Sequence, residues 1–279
     1  MGAVELDYVV PADDVAPYVT LFYRFAADLP VFEDTERADH AQFRFRLSPG
    51  ASSYRFPDGS ERPAPPVHLL GPTSGAIRSR AQGPVLVFGM GVTPAGWAAM
   101  LGVDAHLSVD QVLDAAPLLG PAVTEAAARL ASLPDAAAMA AAAEPLIRSL
   151  VRGPDGATLR FVREVDAWLA GCASPDLAEL VALTGLSRRQ VERRCNRLYG
   201  APPKLLARKY RALRAAVLIA ERRDAPDAFY DQSHMIREFK RFVGLTPGQI
   251  RDDPGLLAGL TIERRRGLQG LVPPIISDT

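Results

Sequence analysis

The chain has 279 residues, 48% of them hydrophobic, with 32 basic and 32 acidic side chains and no formal net charge. That length fits two domains, and that apolar content supplies ordinary cores, so it reads as a soluble globular protein. The opening MGAVELDYVVPADD lacks a basic region followed by an apolar run, and no stretch of about 18 apolar residues occurs. Export and membrane insertion are therefore not expected, and the cytoplasm is the default location. The two cysteines, Cys172 and Cys195, imply no disulfide framework.

In chain order, the first ninety residues read mostly as β. Alternation at Gln42-Phe43-Arg44-Phe45-Arg46-Leu47 and Ser53-Tyr54-Arg55-Phe56 predicts half-buried strands, and Val85-Leu86-Val87-Phe88 predicts a fully buried one. Turns fall at Ser48-Pro49-Gly50, Pro57-Asp58-Gly59 and Gly71-Pro72. Helices follow, one from Thr93-Pro94 to Gly102, one from Gly120-Pro121, and an Ala-rich segment capped by Asp135 and interrupted by Pro145. RGPDGA at 152–157 is the boundary candidate. Beyond it, TLRFVREVDAWLAG predicts an amphipathic helix whose core face is Phe161, Val165, Trp168 and Leu169. The fold class expected is α+β: a β-rich N-terminal domain followed by helices over 1–152, an all-α domain over 158–266, and a tail at 267–279.

Within the second half, SRRQVERRCNRLYG at 187–200 and DQSHMIREFKRFVG at 231–244 repeat one helix pattern. Each opens on a capping residue, Ser187 or Asp231, and closes on a glycine, Gly200 or Gly244, suited to a left-handed C-terminal position. Val191, Cys195, Leu198 and Tyr199 stripe the first copy, and Met235, Phe239, Phe242 and Val243 stripe the second, so those faces must be buried. Arg189, Arg193, Asn196 and Arg197 occupy the opposite face of the first, with Ser233, Arg237, Lys240 and Arg241 on that of the second. Upstream, SPDLAELVALTG predicts a helix capped by Ser174, with Pro175 at its first position and Gly185 as its stop. Helix, tight turn and capped helix make a helix-turn-helix signature.

Charge is sorted by region. Residues 1–159 carry net −7 and residues 160–266 net +8, and the stretch 187–214 holds ten basic side chains against the single acid Glu192. A basic run alone is usually a solvated face, but coincidence with a repeated helix-turn-helix points to a phosphate backbone, whose neutralisation releases counterions.

Together, PDLAELVALTGLSRRQVERRCNRLYGAPPKLLARKYRALRAA and AFYDQSHMIREFKRFVGLTP resemble the DNA-binding domain of an AraC-family transcriptional regulator, over about residues 158–252. The resemblance implies two helix-turn-helix units joined by a long helix, here Pro203 to near Arg223, reading successive major grooves about 34 Å apart. The N-terminal HLLGPTSGAIRSRAQGPVLVFGMGVTPAGWAAMLGV is similar to a sensor domain found ahead of such modules.

Carried over by that resemblance, Arg189, Glu192 and Arg193 in the first helix and Gln232, Ser233 and Arg237 in the second are candidate base readers. Their types suit it, since Arg pairs with guanine, Glu accepts from cytosine N4 and Gln pairs with adenine. Asn196 joins them on the exposed face. Ser187, Arg194, Arg197, Lys204, Arg208, Lys209, Lys240 and Arg241 are candidate phosphate contacts. For any single Arg, a surface salt bridge is an equal reading.

The second unit departs from the family. ERRDAPDA leaves no room for a second support helix, Ala228 stands where a turn favours Gly, and Pro226 stops the linker helix from running on. The second recognition helix is then expected to pack near Val217, Leu218 and Ile250 and to discriminate bases less than the first.

Other chemical motifs fail against plainer readings. Gly89-Met90-Gly91-Val92-Thr93-Pro94 has Pro94 in place of the third glycine of a dinucleotide fingerprint. His40, His68, His106 and His234 are scattered without ligand spacing, and the cysteines have no neighbouring His. No metal, cofactor or catalytic residue is expected. The aromatics Phe22, Tyr23, Phe25, Phe43, Phe45, Tyr54 and Phe56 suit a core, or alternatively the lining of a ligand pocket.

The sequence thus predicts a non-enzymatic, sequence-specific regulator whose partner is double-stranded DNA, with a small-molecule effector, RNA polymerase and a second copy as further partners and no membrane. Two rivals stand beside it: a regulator that has lost DNA binding, separated by salt-sensitive DNA affinity, and a ligand-binding or enzymatic N-terminal domain with an accessory helical domain, separated by turnover.

Overall fold

The computed structural model describes residues 4–153, 155–172, 174–223, 229 and 231–279. Its strands, in chain order, are β1 Val4–Val9, β2 Val19–Ala27, β3 Val31–Glu36, β4 Gln42–Arg46, β5 Ser52–Arg55, β6 Glu61–Pro63, β7 Val67–Leu70, β8 Ile77–Gln82, β9 Val85–Val92 and β10 Val112–Asp114. They form two antiparallel sheets, ordered β1-β2-β9-β4-β7-β10 and β3-β8-β5-β6. The alternating segments are the strands β4 and β5; β5 is half-buried as its pattern requires, but β4 is buried on both faces, Gln42 and Arg46 included. The run expected to be wholly buried, in β9, leaves Leu86 and Val87 part-exposed. Strand β10, too short to show a period, pairs with β7 beyond the region expected to be β.

Helices α1 Pro94–Leu101, α2 Ala115–Leu119, α3 Ala122–Leu130 and α4 Ala136–Leu150 follow, with a 3-10 turn at Ala105–Ser108. Thr93 caps α1 and Gly102 ends it at φ 67°. Asp135 caps α4, but Pro145 does not break it. The proline ring faces solvent while Ala143, Leu146 and Ile147 beside it are buried, and that packing offsets the roughly 3 kcal/mol an internal proline costs. One core unites the first sheet with these helices, through Phe22, Phe43, Phe45, Phe88, Trp97 and Ile147.

The remaining helices are α5 Gly156–Gly171, α6 Leu177–Thr184, α7 Arg188–Tyr199, α8 Pro203–Ala220, α9 Gln232–Phe242, α10 Pro247–Asp252, α11 Leu256–Arg266 and α12 Pro274–Ser277. A second core joins α5 to α10 through Phe161, Trp168, Leu180, Cys195, Leu213 and Phe239. Helix α6 starts two residues later than expected: Asp176, not Ser174, is its cap, accepting from the Ala178 N–H. The Trp168 indole donates to the Asp176 carbonyl and fixes that start. The segment expected to be a tail is packed, with α12 against α5 and Thr279 buried. No helix among the described residues is long and apolar enough to cross a membrane.

The two cores share a hydrogen-bonded seam. The Ala38 N–H donates to the Phe242 carbonyl, the Ala76 N–H to the Arg241 carbonyl, and the Leu257 N–H to the Asp34 carboxylate. Helix α11 lies against β1 and β3.

Candidate nucleic-acid interface

The first unit is built by caps. Gly185 ends α6 at φ 64°, and two residues later Ser187 begins α7. Ser187 accepts from the Gln190 N–H while the Gln190 side chain accepts from the Ser187 N–H, a complete capping box that satisfies two otherwise orphaned donors. Val191, Cys195, Leu198 and Tyr199 are buried, so the other face of α7 is forced outward.

On that face Arg189 and Arg193 are exposed and one turn apart, and among the described residues neither makes an ion pair. Their neighbours are engaged within the protein. Glu192 accepts from Arg188 at 3.1 Å, the Asn196 amide donates to the Glu192 carbonyl at 2.9 Å, and Arg197 pairs with Asp104 of the N-terminal half at 3.2 Å. The two ion pairs are solvent-exposed or part-exposed, where such pairs contribute about 0–1 kcal/mol, so an incoming phosphate or base can replace them.

In the second unit Asp231 accepts from the His234 N–H and starts α9, whose Phe239 and Phe242 are buried. Gln232, Ser233, Arg237 and Lys240 are exposed. Between α8 and α9 the described residues contain no helix, and Pro226 and Ala228 lie outside the described residues. The packing of α9 differs in detail from that expected. Ala212 holds Phe242, and Phe239, Val243 and Ile250 share the core with Ala216 and Ile219, while Val217 and Leu218 stay part-exposed. Buried Glu238 further ties α9 to α8 by accepting from Nε and Nη2 of Arg208, at 3.0 and 2.7 Å.

Several assigned phosphate contacts are engaged elsewhere. Lys209 is only 6% exposed, its ammonium donating to the Asp39 carbonyl at 3.3 Å. Burial lowers its pKa to about 8, and the seam rather than DNA receives it. Arg208 is committed to Glu238, and Arg194 lies over the Phe161 ring at 5.5 Å. Arg241 is exposed but stacks over Phe242 and donates to the Ser74 carbonyl at 3.4 Å, and Lys204 is exposed at the start of α8. The helical wheel reports a face; it cannot report that an N-terminal element covers part of it.

The seam's charge centre was not foreseen. The carboxylate of Asp39 meets His40 at 2.8 Å, Arg37 at 3.4 Å and Arg265 at 3.6 Å. Burial alone raises a carboxyl pKa, yet these cations hold Asp39 well below its ordinary value. The signal available in sequence was the run Arg37-Ala38-Asp39-His40, charged residues beside an alternating strand.

The C-terminal ends of α7 and α9 abut the N-terminal half. At Gly200, with φ 73°, a Cβ would press on Val109 and Pro72; at Gly244, with φ 81°, on Thr35 and Ala76. Arg189, Arg193, Gln232, Ser233 and Arg237, toward the N-terminal ends of the two helices, are exposed.

Residues 180–253 match a family described as helix-turn-helix domain, a span that contains α7, α8, α9 and all of α10. A solved structure similar in outline is that of an apo ToxT variant from Vibrio cholerae strain SCE256, at 9% identity and a TM-score of 0.43, covering 80% of this chain and 97% of that one. Comparison with the curated proteins gives no match.

Proposed function

We propose, from the match of residues 180–253 to a family described as helix-turn-helix domain, that the protein is a sequence-specific transcriptional regulator of the AraC type in which α7 and α9 read DNA and the N-terminal half governs how they are presented. The observation that carries this reading is the pair of capped helices, 44 residues apart in sequence, with Arg189 and Arg193 exposed on the first and Arg237 on the second. Arg189 and Arg193 suit bidentate contact with guanine, and Gln232, Ser233 and Arg237 supply the second set. Lys204 and Lys240 suit phosphates.

Control follows from the seam. A ligand or partner that binds the N-terminal half differently when α7 and α9 are docked and undocked shifts the DNA-competent population by that difference in affinity. The division into an N-terminal control domain and a C-terminal reading domain, at 152–158, is part of this proposal.

The test is selection of bound fragments from random DNA by the full chain, followed by titration of the selected site. An affinity that falls linearly on a log–log plot against salt, with a shared motif among the fragments, is expected. Fragments without a common motif, or affinity indifferent to salt, overturn it.

A further inference from the structure

Residues 1–159 carry net −7, yet one surface of that half is lined with arginines. Along β8 burial alternates, with Ile77, Ser79 and Ala81 buried and Arg78 and Arg80 exposed. On neighbouring β5, Tyr54 is buried and Arg55 exposed. The register sets Arg55 directly opposite Arg78, and Ser53 opposite Arg80. The three arginine side chains are 60%, 61% and 63% exposed in chain order.

Like charges directly opposite one another weaken a sheet. Glu33 on β3 relieves part of this by pairing with Arg78 at 3.0 Å and Arg80 at 3.8 Å, and Glu61 on β6 pairs with Arg55 at 3.3 Å. Pairs this exposed are weak and exchange readily for other anions. Sheet stability therefore gives no reason for setting Arg55 against Arg78.

The position of the strip supplies one. Helix α9 ends against this sheet: a Cβ on Gly244 would meet Thr35 and Ala76, and the Ala76 N–H donates to the Arg241 carbonyl at 2.7 Å. Thr35 is the register partner of Arg78, which places Arg78 one strand away from the end of α9. Lys240 and Arg241, exposed in the last turn of α9, are thus continued by Arg78, Arg55 and Arg80.

We propose that the exposed face of β5 and β8 is a phosphate-contacting surface for DNA beyond the α9 half-site, with Arg55, Arg78 and Arg80 holding the backbone to which Lys240 and Arg241 lead. The proposal rests on the DNA-reading function above and extends it to a part of the chain outside residues 180–253. A recognition helix that meets base edges with its N-terminal residues leaves its C-terminal end nearer the groove edge, where the backbone runs. Arg78 and Arg80, two residues apart on one strand, stand about 7 Å apart, a span suited to successive phosphates. Such contacts reach no base edge, so they add affinity and salt dependence without sequence preference.

Salt titration of the full chain tests this on three duplexes: the bare selected site, and that site extended on either side by one helical turn, about 10 base pairs. Arg55→Gln combined with Arg78→Gln should lower the log–log salt slope by about 1–2 on at least one extended duplex, at about 0.9 per lost contact, and weaken binding there about tenfold. The bare site should stay within about twofold, and base preferences should not change. Arg129→Gln combined with Arg152→Gln removes the same charge from exposed positions elsewhere in the N-terminal half and should leave all three duplexes within about twofold. If the first pair loses its native circular dichroism, Arg80→Gln alone should lower the slope by about 1. Unchanged slopes on both extensions, an equal deficit on the bare site, or an equal deficit from the control pair overturns the proposal. Where the unaltered protein still selects a motif with salt-dependent affinity, such a result leaves the DNA-reading function standing; an unaltered protein without either removes both.

Discussion

Lys209 on α8 donates to the backbone carbonyl of Asp39, across 170 residues of sequence, so the most basic stretch of the chain is also the strut that holds its two halves together. Its pKa falls from the ordinary 10.5 to about 8 because burial penalises the charged form. Between those values the unfolded chain binds more protons than the folded one, so stability rises with pH across that window. The penalty is fully present below about pH 8. Lys209→Met should flatten that rise in urea unfolding measured from pH 7 to 10, and should leave the salt slope of DNA binding unchanged. A reduced salt slope would return Lys209 to the phosphate-contacting set.

Arg193→Ala is expected to cost about 1–3 kcal/mol on the selected site and to relax one base preference. Arg189→Ala should act similarly. Footprinting and competition against scrambled DNA measure both, and an equal loss on every sequence would make these arginines phosphate contacts instead.

The second reading helix depends on a different support. With Arg208 gripping Glu238 through two hydrogen bonds, Glu238→Ala should loosen α9 and erase the discrimination due to Gln232 and Arg237 while sparing that of Arg193. Gln232→Ala and Arg237→Ala alone should have smaller effects than Arg189→Ala and Arg193→Ala. Equal losses from both pairs reject this asymmetry.

Asp166 sits in the helical core, its carboxylate accepting from the Tyr199 hydroxyl at 2.8 Å. Burial raises its pKa to about 7, and the tyrosine hydrogen bond only partly opposes this. The folded state therefore holds a proton the unfolded chain has lost between about pH 4 and 7, and stability falls as pH rises through that window. In thermal melts, Asp166→Asn should gain on the unaltered protein as pH rises from 5 to 8. A pH-independent difference between the two would place the Asp166 pKa in the ordinary range.

Gly185 and Gly244 both take positive φ, 64° and 81°, but a Cβ at Gly185 meets open space and one at Gly244 meets Thr35 and Ala76. Gly185→Ala should cost about 1 kcal/mol, the backbone penalty alone. Gly244→Ala should cost more, by about 1–3 kcal/mol for the forced repacking. Chemical unfolding of the two variants compares them, and equal costs would mean the seam yields freely.

The elements that local chemistry specifies were legible in sequence. Ser187 and Gln190 announce α7 by spacing alone, Phe43 and Phe45 mark β4 by alternation, and Gly200 marks a helix end by its conformational range. Positions decided by distant partners were not. The start of α6 is set by an indole on α5, the continuity of α4 through Pro145 by residues packed against its buried face, and the fate of Lys209 by a carbonyl in the other half. Of the aromatic strands, Phe22, Phe43 and Phe45 fill the core, while Tyr23, Phe25 and Tyr54 border a cavity between the sheets and the helical half.

Because α7 and α9 both end against the N-terminal half, the interval between them is gauged by that half as well as by the helix that joins them. A long helix alone can twist or bend; a helix whose neighbours are also braced against one N-terminal half, α7 at Val109 and Pro72 and α9 at Thr35 and Ala76, works as a ruler. Under the proposed function, half-site spacing is then a property of the whole chain, and transplanting 158–266 onto a different N-terminal half should recalibrate it even with every exposed side chain of α7 and α9 retained.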